Sequence, residues 1–395
     1  MFDRENKKRL LFVSYHHSYP FFADSIQNHR LLDELKKEID IDILCRSNSS
    51  ASNCDGILSV WSPNLSLADT VFLKLFPHLR PVYSLDRYLW SFLAFAKLLF
   101  LKKKYDAVLL TYEPYAIYPL SVYLRKFFSL NIISVLYDPL ADNLFFHQSS
   151  KGINVRLKLE KKIIETSYAV VVNNEIVKDK LEKRYKVNHI KMIYLCGRDI
   201  AYSDSSALYN QNRKIRIVHC GNVHGKRNLK CLDETVSILK QNITELSEKL
   251  EVVLYGECSP VEKQRIYNSQ NTDVIILKPS VSSEEISKKV SSADALLLID
   301  PLDEGNNSFP SKLCEYFQYG KFIFGYSNLN SPSGSFLLKA KQFVCDGSNI
   351  DDMAEALGKF IKDKHVYDSL IPKDYGRQFN PAYIADQYMN ILNDI

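Results

Sequence analysis

The sequence predicts an α/β protein built from two Rossmann-like, doubly wound domains, each a parallel sheet with helices on both faces. Three observations carry that expectation. Short runs rich in β-branched residues alternate with segments of helical spacing. The alternation stops at a polar stretch, AYSDSSALYNQNRK at 201–214, and then restarts. The chain has 395 residues, 46% of them hydrophobic, which favours two cores over one.

In order, the first set of strands is RLLFVSY (9–15), DIDILC (40–45), AVLLTY (107–112), NIISVLY (131–137) and YAVVVNN (168–174). Such short apolar runs suit parallel strands buried on both faces. Segments such as SIQNHRLLDELKKE and VRLKLEKKIIETS supply the helices between them. The second set is IRIVHC (215–220), LEVVLYG (250–256), TDVIIL (272–277), ALLLID (295–300), KFIFGYS (321–327) and KQFVCD (341–346). The expected division is therefore 1–205, 206–379, and a last helical segment at 380–395. That segment has Tyr383, Ile384, Tyr388 and Ile391 as its apolar face, and its periodicity does not decide which domain it covers. The two domains are expected to face one another across a cleft.

Composition narrows the function classes. Eight cysteines occur with no CxxC and no zinc-finger spacing, which reads as reduced thiols in a cytoplasmic protein. The start, MFDRENKKRLLFVSYHH, reads as a first strand and not as a signal peptide. The longest apolar stretch, Leu89 to Leu101, contains Lys97 and falls short of the roughly 20 residues of a membrane span. Net charge is +5, but residues 1–205 hold 29 basic against 22 acidic side chains, while 206–395 hold 22 against 24. No helix-turn-helix, zinc finger or RNA-binding aromatic motif accompanies the basic half, so nucleic acid is not the expected partner. GxGxxG and GxxxxGK[ST] are both absent, which counts against dinucleotide-dependent dehydrogenases and P-loop NTPases.

In open parallel sheets, ligands sit beyond the carboxyl ends of strands, so the strand-to-helix loops are the places to search. After IRIVHC comes GNVHGKRNLK, a glycine turn with Lys226 and Arg227 entering a helix. It is either a phosphate or diphosphate site or a solvated cation pair. After ALLLID comes NSFPSKLCEYFQYGK. Ser311 as N-cap or Pro310 at the first helical position starts a helix there, with Glu315 and Tyr316 facing inward. Lys312 then falls near the positive end of that helix, an unfavourable place unless an anion neutralises it. Glu315 either accepts two hydroxyl hydrogen bonds, as a ribose cis-diol requires, or caps the first turn.

The order GN…KRN, VVLYGE, VSSEEISKKVSSADALLLID and FPSKLCEYFQYGKFIFG resembles the donor-binding half of GT-B nucleotide-sugar glycosyltransferases, particularly the large retaining group called family 4 (glycosyl transferases group 1). KRLLFVSYHHSYPFFADSIQNHRLLDELKKEIDIDILC, YDAVLLTYEP and IISVLYDP resemble their acceptor domain. YAVVVNNEIVKDKLEKRYKV and KMIYLCGRD resemble the segment that leaves it. The resemblance implies that Gly221, with Asn222, lies by the donor phosphates. Lys226, or alternatively Arg227, neutralises the diphosphate, and Ser311 and Lys312 assist. Glu315, the second glutamate of the family's E-x7-E element, holds the ribose, and Pro279 to Val281 lie near the base. The first glutamate of that element is replaced by Asn307, unless Glu304 serves, and SYPFFADS stands where the family keeps a glycine pair.

On the acceptor side, Asp138 in VLYDPLADN either takes the acceptor's proton as general base or caps the next element, with Asp142 in reserve. His16 and His17 are further candidates. No metal site or cofactor is expected; the resemblance implies lysine, arginine and helix dipoles on the leaving diphosphate. The stretch 87–104 sets Trp90, Phe92, Phe95, Leu98 and Leu99 beside Arg87, Lys97 and Lys102 to Lys104. It reads either as a core helix or as a contact with an anionic membrane surface.

The expected function is transfer of a sugar from a nucleotide-sugar donor to a glycan or lipid-linked acceptor in cell-surface polysaccharide synthesis (capsule or O-antigen), at the cytoplasmic face of the plasma membrane. A sugar-nucleotide epimerase of the same fold and a non-catalytic partner subunit are the alternatives.

Overall fold

The apolar runs form two wholly parallel sheets. The computed structural model describes residues 7–18, 23–47, 56–144, 146, 149–199, 214–368, 370 and 375–395. The expected boundary at 205/206 and most of the polar stretch at 201–214 lie outside them. The chain divides into two units, Met1–Cys196 with Asn380–Ile395, and Gly197–Phe379.

The first unit contains β1 (Arg9–Val13), α1 (Ala23–Leu35), β2 (Asp40–Arg46), β3 (Ile57–Val60), α2 (Ser66–Leu75), α3 (Leu85–Leu101), β4 (Ala107–Thr111), α4 (Tyr118–Phe128), β5 (Asn131–Val135), α5 (Ser150–Thr166), β6 (Ala169–Val172), α6 (Glu175–Tyr185) and β7 (Ile190–Met192). Its sheet runs β3-β2-β1-β4-β5-β6-β7. Leu11 and Val13 pack with Trp90, Leu110 and Ile163 on one face, while Leu10 and Phe12 pack with Leu32 and Ile384 on the other. Burial on both faces explains why the strands read as unbroken apolar runs. β3 and β7 escaped the sequence reading because ILSV and IKM interrupt their apolar residues with Ser59 and Lys191, unlike the equally short edge strands IILK and FVC.

The second unit contains β8 (Ile215–Cys220), α7 (Lys230–Asn242), α8 (Leu246–Lys249), β9 (Leu250–Tyr255), α9 (Pro260–Asn268), β10 (Ile275–Lys278), α10 (Ser283–Ser291), β11 (Ala295–Ile299), α11 (Ser311–Gln318), β12 (Phe322–Tyr326), α12 (Pro332–Lys339), β13 (Phe343–Cys345), α13 (Ile350–Lys362) and α14 (His365–Asp368). Its sheet runs β10-β9-β8-β11-β12-β13. In both sheets the order reverses beside the first strand of the unit, which places a switch point there.

The last helix, α15 (Pro381–Asn393), packs on α1 in the first unit through Ile384, Tyr388 and Ile391. Tyr383, expected on that face, is exposed. Asn380 caps the helix by accepting from the Ala382 N–H.

The α3 helix answers the question its composition posed by dividing its apolar residues. Trp90, Phe95 and Leu98 are buried in the core, whereas Leu89, Phe92, Leu99 and Phe100 are exposed. Lys97 donates to the Ser59 carbonyl and Lys103 pairs with Asp42, so part of the basic edge is committed within the unit. α2 buries none of its residues, and Leu67, Val71 and Leu75 face solvent. No helix among the described residues is long and apolar enough to cross a membrane.

Candidate active site

The loops after β8 and β11, neighbours at the second switch point, bring Gly221, Arg227, Asp300 and Lys312 together. Gly221 has φ +137°, in the region that favours glycine, and its N–H donates to the Tyr255 carbonyl. The Lys312 ammonium lies where a Cβ on Gly221 would stand. On the other side, Gly256 lacks a side chain because the Gly221 carbonyl occupies that space. Tyr316, buried on α11, accepts at its hydroxyl from the Cys220 N–H and so fixes the end of β8.

Burial, then the nearby Arg227, pushes the Lys312 ammonium down to about 8. Among the described residues it makes no hydrogen bond and no ion pair. Asp300 is buried at the end of β11, accepting from Asn306 Nδ2 (3.0 Å) and Ser333 Oγ (2.5 Å) and pairing with Arg227 Nη2 at 3.5 Å. Burial pushes its carboxyl up, while Arg227, Ser333 and Lys312 pull it back. His219 is wholly buried beside them and donates from Nδ1 to the Leu297 carbonyl at 2.9 Å. Burial, then Lys312, pushes it well below the usual histidine range. The arrangement is two cations and one carboxylate around a bare glycine turn, a site that suits an oxyanion.

Glu315 lies one turn along α11. Its Oε2 accepts from Arg198 Nε at 2.9 Å, and the two side chains are about one-fifth exposed, 19% and 20%. Arg198 also donates from Nη1 to Ser287 Oγ (3.1 Å) and from Nη2 to Ser283 Oγ (2.7 Å), both on α10. Its main chain is held twice by Gln318, which accepts the Arg198 N–H at 2.6 Å and donates to its carbonyl at 2.7 Å. Gly197 must be glycine for that clamp, since the Gln318 amide fills the place of its Cβ.

The remaining donor-side candidates are more peripheral. Lys226 is half exposed and paired with Asp303 at 3.0 Å; with Arg227 it precedes α7 in a turn and does not enter the helix. Asn222 is exposed and accepts the Glu257 N–H at 2.9 Å. Pro279 is exposed and Val281 partly buried, in the loop ahead of the Ser282–Glu285 capping box of α10. Ser311 is the first residue of α11, with Pro310 at the N-cap, so neither expected start is found. Asn307 is buried and donates to the Gly305 carbonyl, whereas Glu304 is exposed. Sequence reasoning missed Arg198, Asp300 and His219. Arg198 stands in the CGRD segment, which the sequence marks only as the connection out of the first domain.

In the first unit, Asp138 follows β5, partly exposed, and its carbonyl accepts from the Tyr115 hydroxyl at 2.6 Å. It caps no helix, because Ser149 caps α5. Asp142 is held by Arg184 (2.6 Å) and Lys180 (3.1 Å) in a network with the fully buried Glu160, which accepts from Arg184, Tyr185 and the Ala141 N–H. That network shapes the loop carrying Asp138. His16 is partly exposed, edge-on to Tyr15. His17 is buried against His29, ring centroids 4.1 Å apart, and burial followed by His29 pushes it down to about 3, so it stays neutral. Part of SYPFFADS, residues 19–22, lies outside the described residues. Among the described residues no group of three or more His, Cys, Asp or Glu could hold a metal ion.

Two parallel-sheet, Rossmann-like units in this order define the GT-B fold. Solved structures share this fold over nearly the full length of the chain. A sucrose-phosphate synthase from Thermosynechococcus elongatus is 14% identical with a TM-score of 0.69, over 98% of this chain and 99% of that one. A structure described as trehalose-6-phosphate from E. coli bound with UDP-2-fluoro glucose is 13% identical with a TM-score of 0.67, over 98% and 99%. WaaG, a glycosyltransferase involved in lipopolysaccharide biosynthesis, is 11% identical with a TM-score of 0.64, over 97% and 99%. Residues 204–377 match the family described as glycosyl transferases group 1. A comparison with curated proteins finds no match.

Proposed function

We propose that this chain is a glycosyltransferase that takes its sugar from a nucleoside-diphosphate donor seated on the second unit and passes it to a glycan acceptor, without a metal ion. The observation that carries the reading is the Lys312 ammonium, enclosed against Gly221 beside Arg227 and partnered by no described residue. An acceptor oxygen forms its bond to the anomeric carbon as the bond from that carbon to the diphosphate breaks. Lys312 and Arg227 meet the charge that builds on the leaving group. The geometry favours these two over the exposed, already paired Lys226 as the main cations. Glu315 holds the ribose, Pro279 to Val281 border the base, and Asp138 is the base that takes the acceptor proton.

For the acceptor we favour a lipid-linked glycan met at an anionic membrane, as in cell-surface polysaccharide synthesis on the cytoplasmic side. Its support is the exposed apolar set of α2 and α3 beside the exposed Lys102 and Lys104. The function is tested by nucleotide release from a panel of nucleotide-sugars with and without acceptor glycan. Acceptor-dependent release is expected; release indifferent to acceptor points to hydrolysis or epimerisation, and no release with any donor points to a non-catalytic subunit.

A further inference from the structure

We propose that Arg198 is the positioning residue of the ribose site, holding Glu315 at one fixed orientation and thereby setting the preference for ribonucleotides over deoxyribonucleotides; this rests on the donor reading above. A glutamate on the first turns of a helix is free to swing about three torsions. One that must meet two vicinal hydroxyls needs its carboxylate plane fixed beforehand, because each lost hydrogen bond to a charged acceptor weakens binding several-fold or more.

The fold fixes Arg198 from every side. Gln318 clamps its main chain with two hydrogen bonds, and bare Gly197 makes room for that amide. Ser287 and Ser283 take its two terminal nitrogens, and the Tyr319 hydroxyl meets Ser287 Oγ at 2.6 Å. Only Nε is turned to Glu315, at 2.9 Å. Glu315 and Gln318 are three residues apart on α11, hence on one face, so a single stretch of chain is read by both. The guanidinium engages Oε2 through one N–H. The fork geometry matters: a lysine supplies the charge but cannot reach Glu315 and both serines in one plane. The serines' place is equally telling, because α10 follows the loop assigned to the base. Arg198 therefore ties the ribose carboxylate to the base side of the site.

The test is calorimetric titration of the full chain with UDP, GDP and ADP, each against its 2′-deoxy counterpart, with inorganic pyrophosphate as the control. Wild type should prefer the ribonucleotide by about tenfold or more. Arg198→Ala should bring that ratio below about threefold, raise KM for the donor and leave kcat within a few-fold, with pyrophosphate binding unchanged. Arg198→Lys should recover only part of the ratio. If Arg198→Ala fails to fold, Ser283→Ala with Ser287→Ala takes its place and should lower the ratio in the same direction. A variant that keeps the wild-type ratio overturns the proposal, as does one that loses pyrophosphate binding in equal measure. A wild type that binds no nucleoside diphosphate overturns the donor reading itself.

Discussion

The ammonium of Lys312 and the missing side chain of Gly221 occupy one and the same space. Residues 91 positions apart in the chain thus define each other, and the glycine is required twice, for its φ of +137° and for the room it leaves. Gly221→Ala should cost roughly 1–3 kcal/mol of stability from the backbone conformation alone. It should also displace Lys312 and weaken pyrophosphate binding at least tenfold. Chemical denaturation and calorimetry read the two effects separately, and an alanine variant that binds pyrophosphate normally contradicts the pairing.

Lys312 also sets a pH dependence. In the free protein its ammonium titrates near 8. Anion affinity should therefore be greatest below pH 8 and fall as pH rises through it. The sign for stability is the reverse. Between about 8 and the unfolded lysine's 10.5 the unfolded chain binds the extra proton, so this group's contribution to stability rises across that window. Lys312→Met should abolish both trends. Binding and denaturant midpoints measured at intervals from pH 6 to pH 10 check this, and a wild-type affinity that is flat through pH 8 excludes Lys312 as the responsive group.

How much of this was legible beforehand depends on the range of each signal. Buried parallel strands announce themselves locally, because both faces are apolar; Ile190–Met192, three residues with the exposed Lys191 at their centre, does not. Gly221, Lys312 and Glu315 could be singled out, since a glycine turn and a lysine at a helix start are unusual in their own neighbourhoods. Arg198 and Asp300 could not, since nothing beside them in sequence marks them. Arg198 gains its meaning from Glu315 and Gln318, 117 and 120 residues away, and Asp300 from Arg227 and Ser333. Asp142 sits in a loop where a reactive carboxylate is expected, yet Lys180 and Arg184 on α6 hold it in ion pairs that the local sequence does not announce.

That commitment has its own consequence. Arg184→Met takes the bonded cation from the wholly buried Glu160 and leaves Asp142 paired with Lys180. The loss should be about 2–3 kcal/mol, less than for a fully buried pair because Arg184 keeps some solvent. Asp142→Asn should likewise lower the melting temperature more than the turnover. A turnover that collapses in Asp142→Asn while the melt is unchanged would return Asp142 to the chemistry.

The exposed face of α2 separates surface from core. No α2 residue is buried, so Leu67→Glu with Val71→Glu should leave the melting temperature within a degree or two. The same variant should lose most of its co-sedimentation with vesicles containing phosphatidylglycerol. Unchanged sedimentation, or none in the wild type, removes the membrane from the account.

The central claim is that Lys312 and Gly221 form the seat of a nucleoside diphosphate. Its most direct measurement is calorimetric titration of wild type and Lys312→Ala with nucleoside diphosphates and with the matching nucleosides, below pH 8. Wild type should bind the diphosphate far more tightly than the nucleoside, and Lys312→Ala, still folded, should lose roughly ten- to a hundredfold of that affinity while nucleoside binding is unchanged. Equal diphosphate affinity in the two proteins would contradict it.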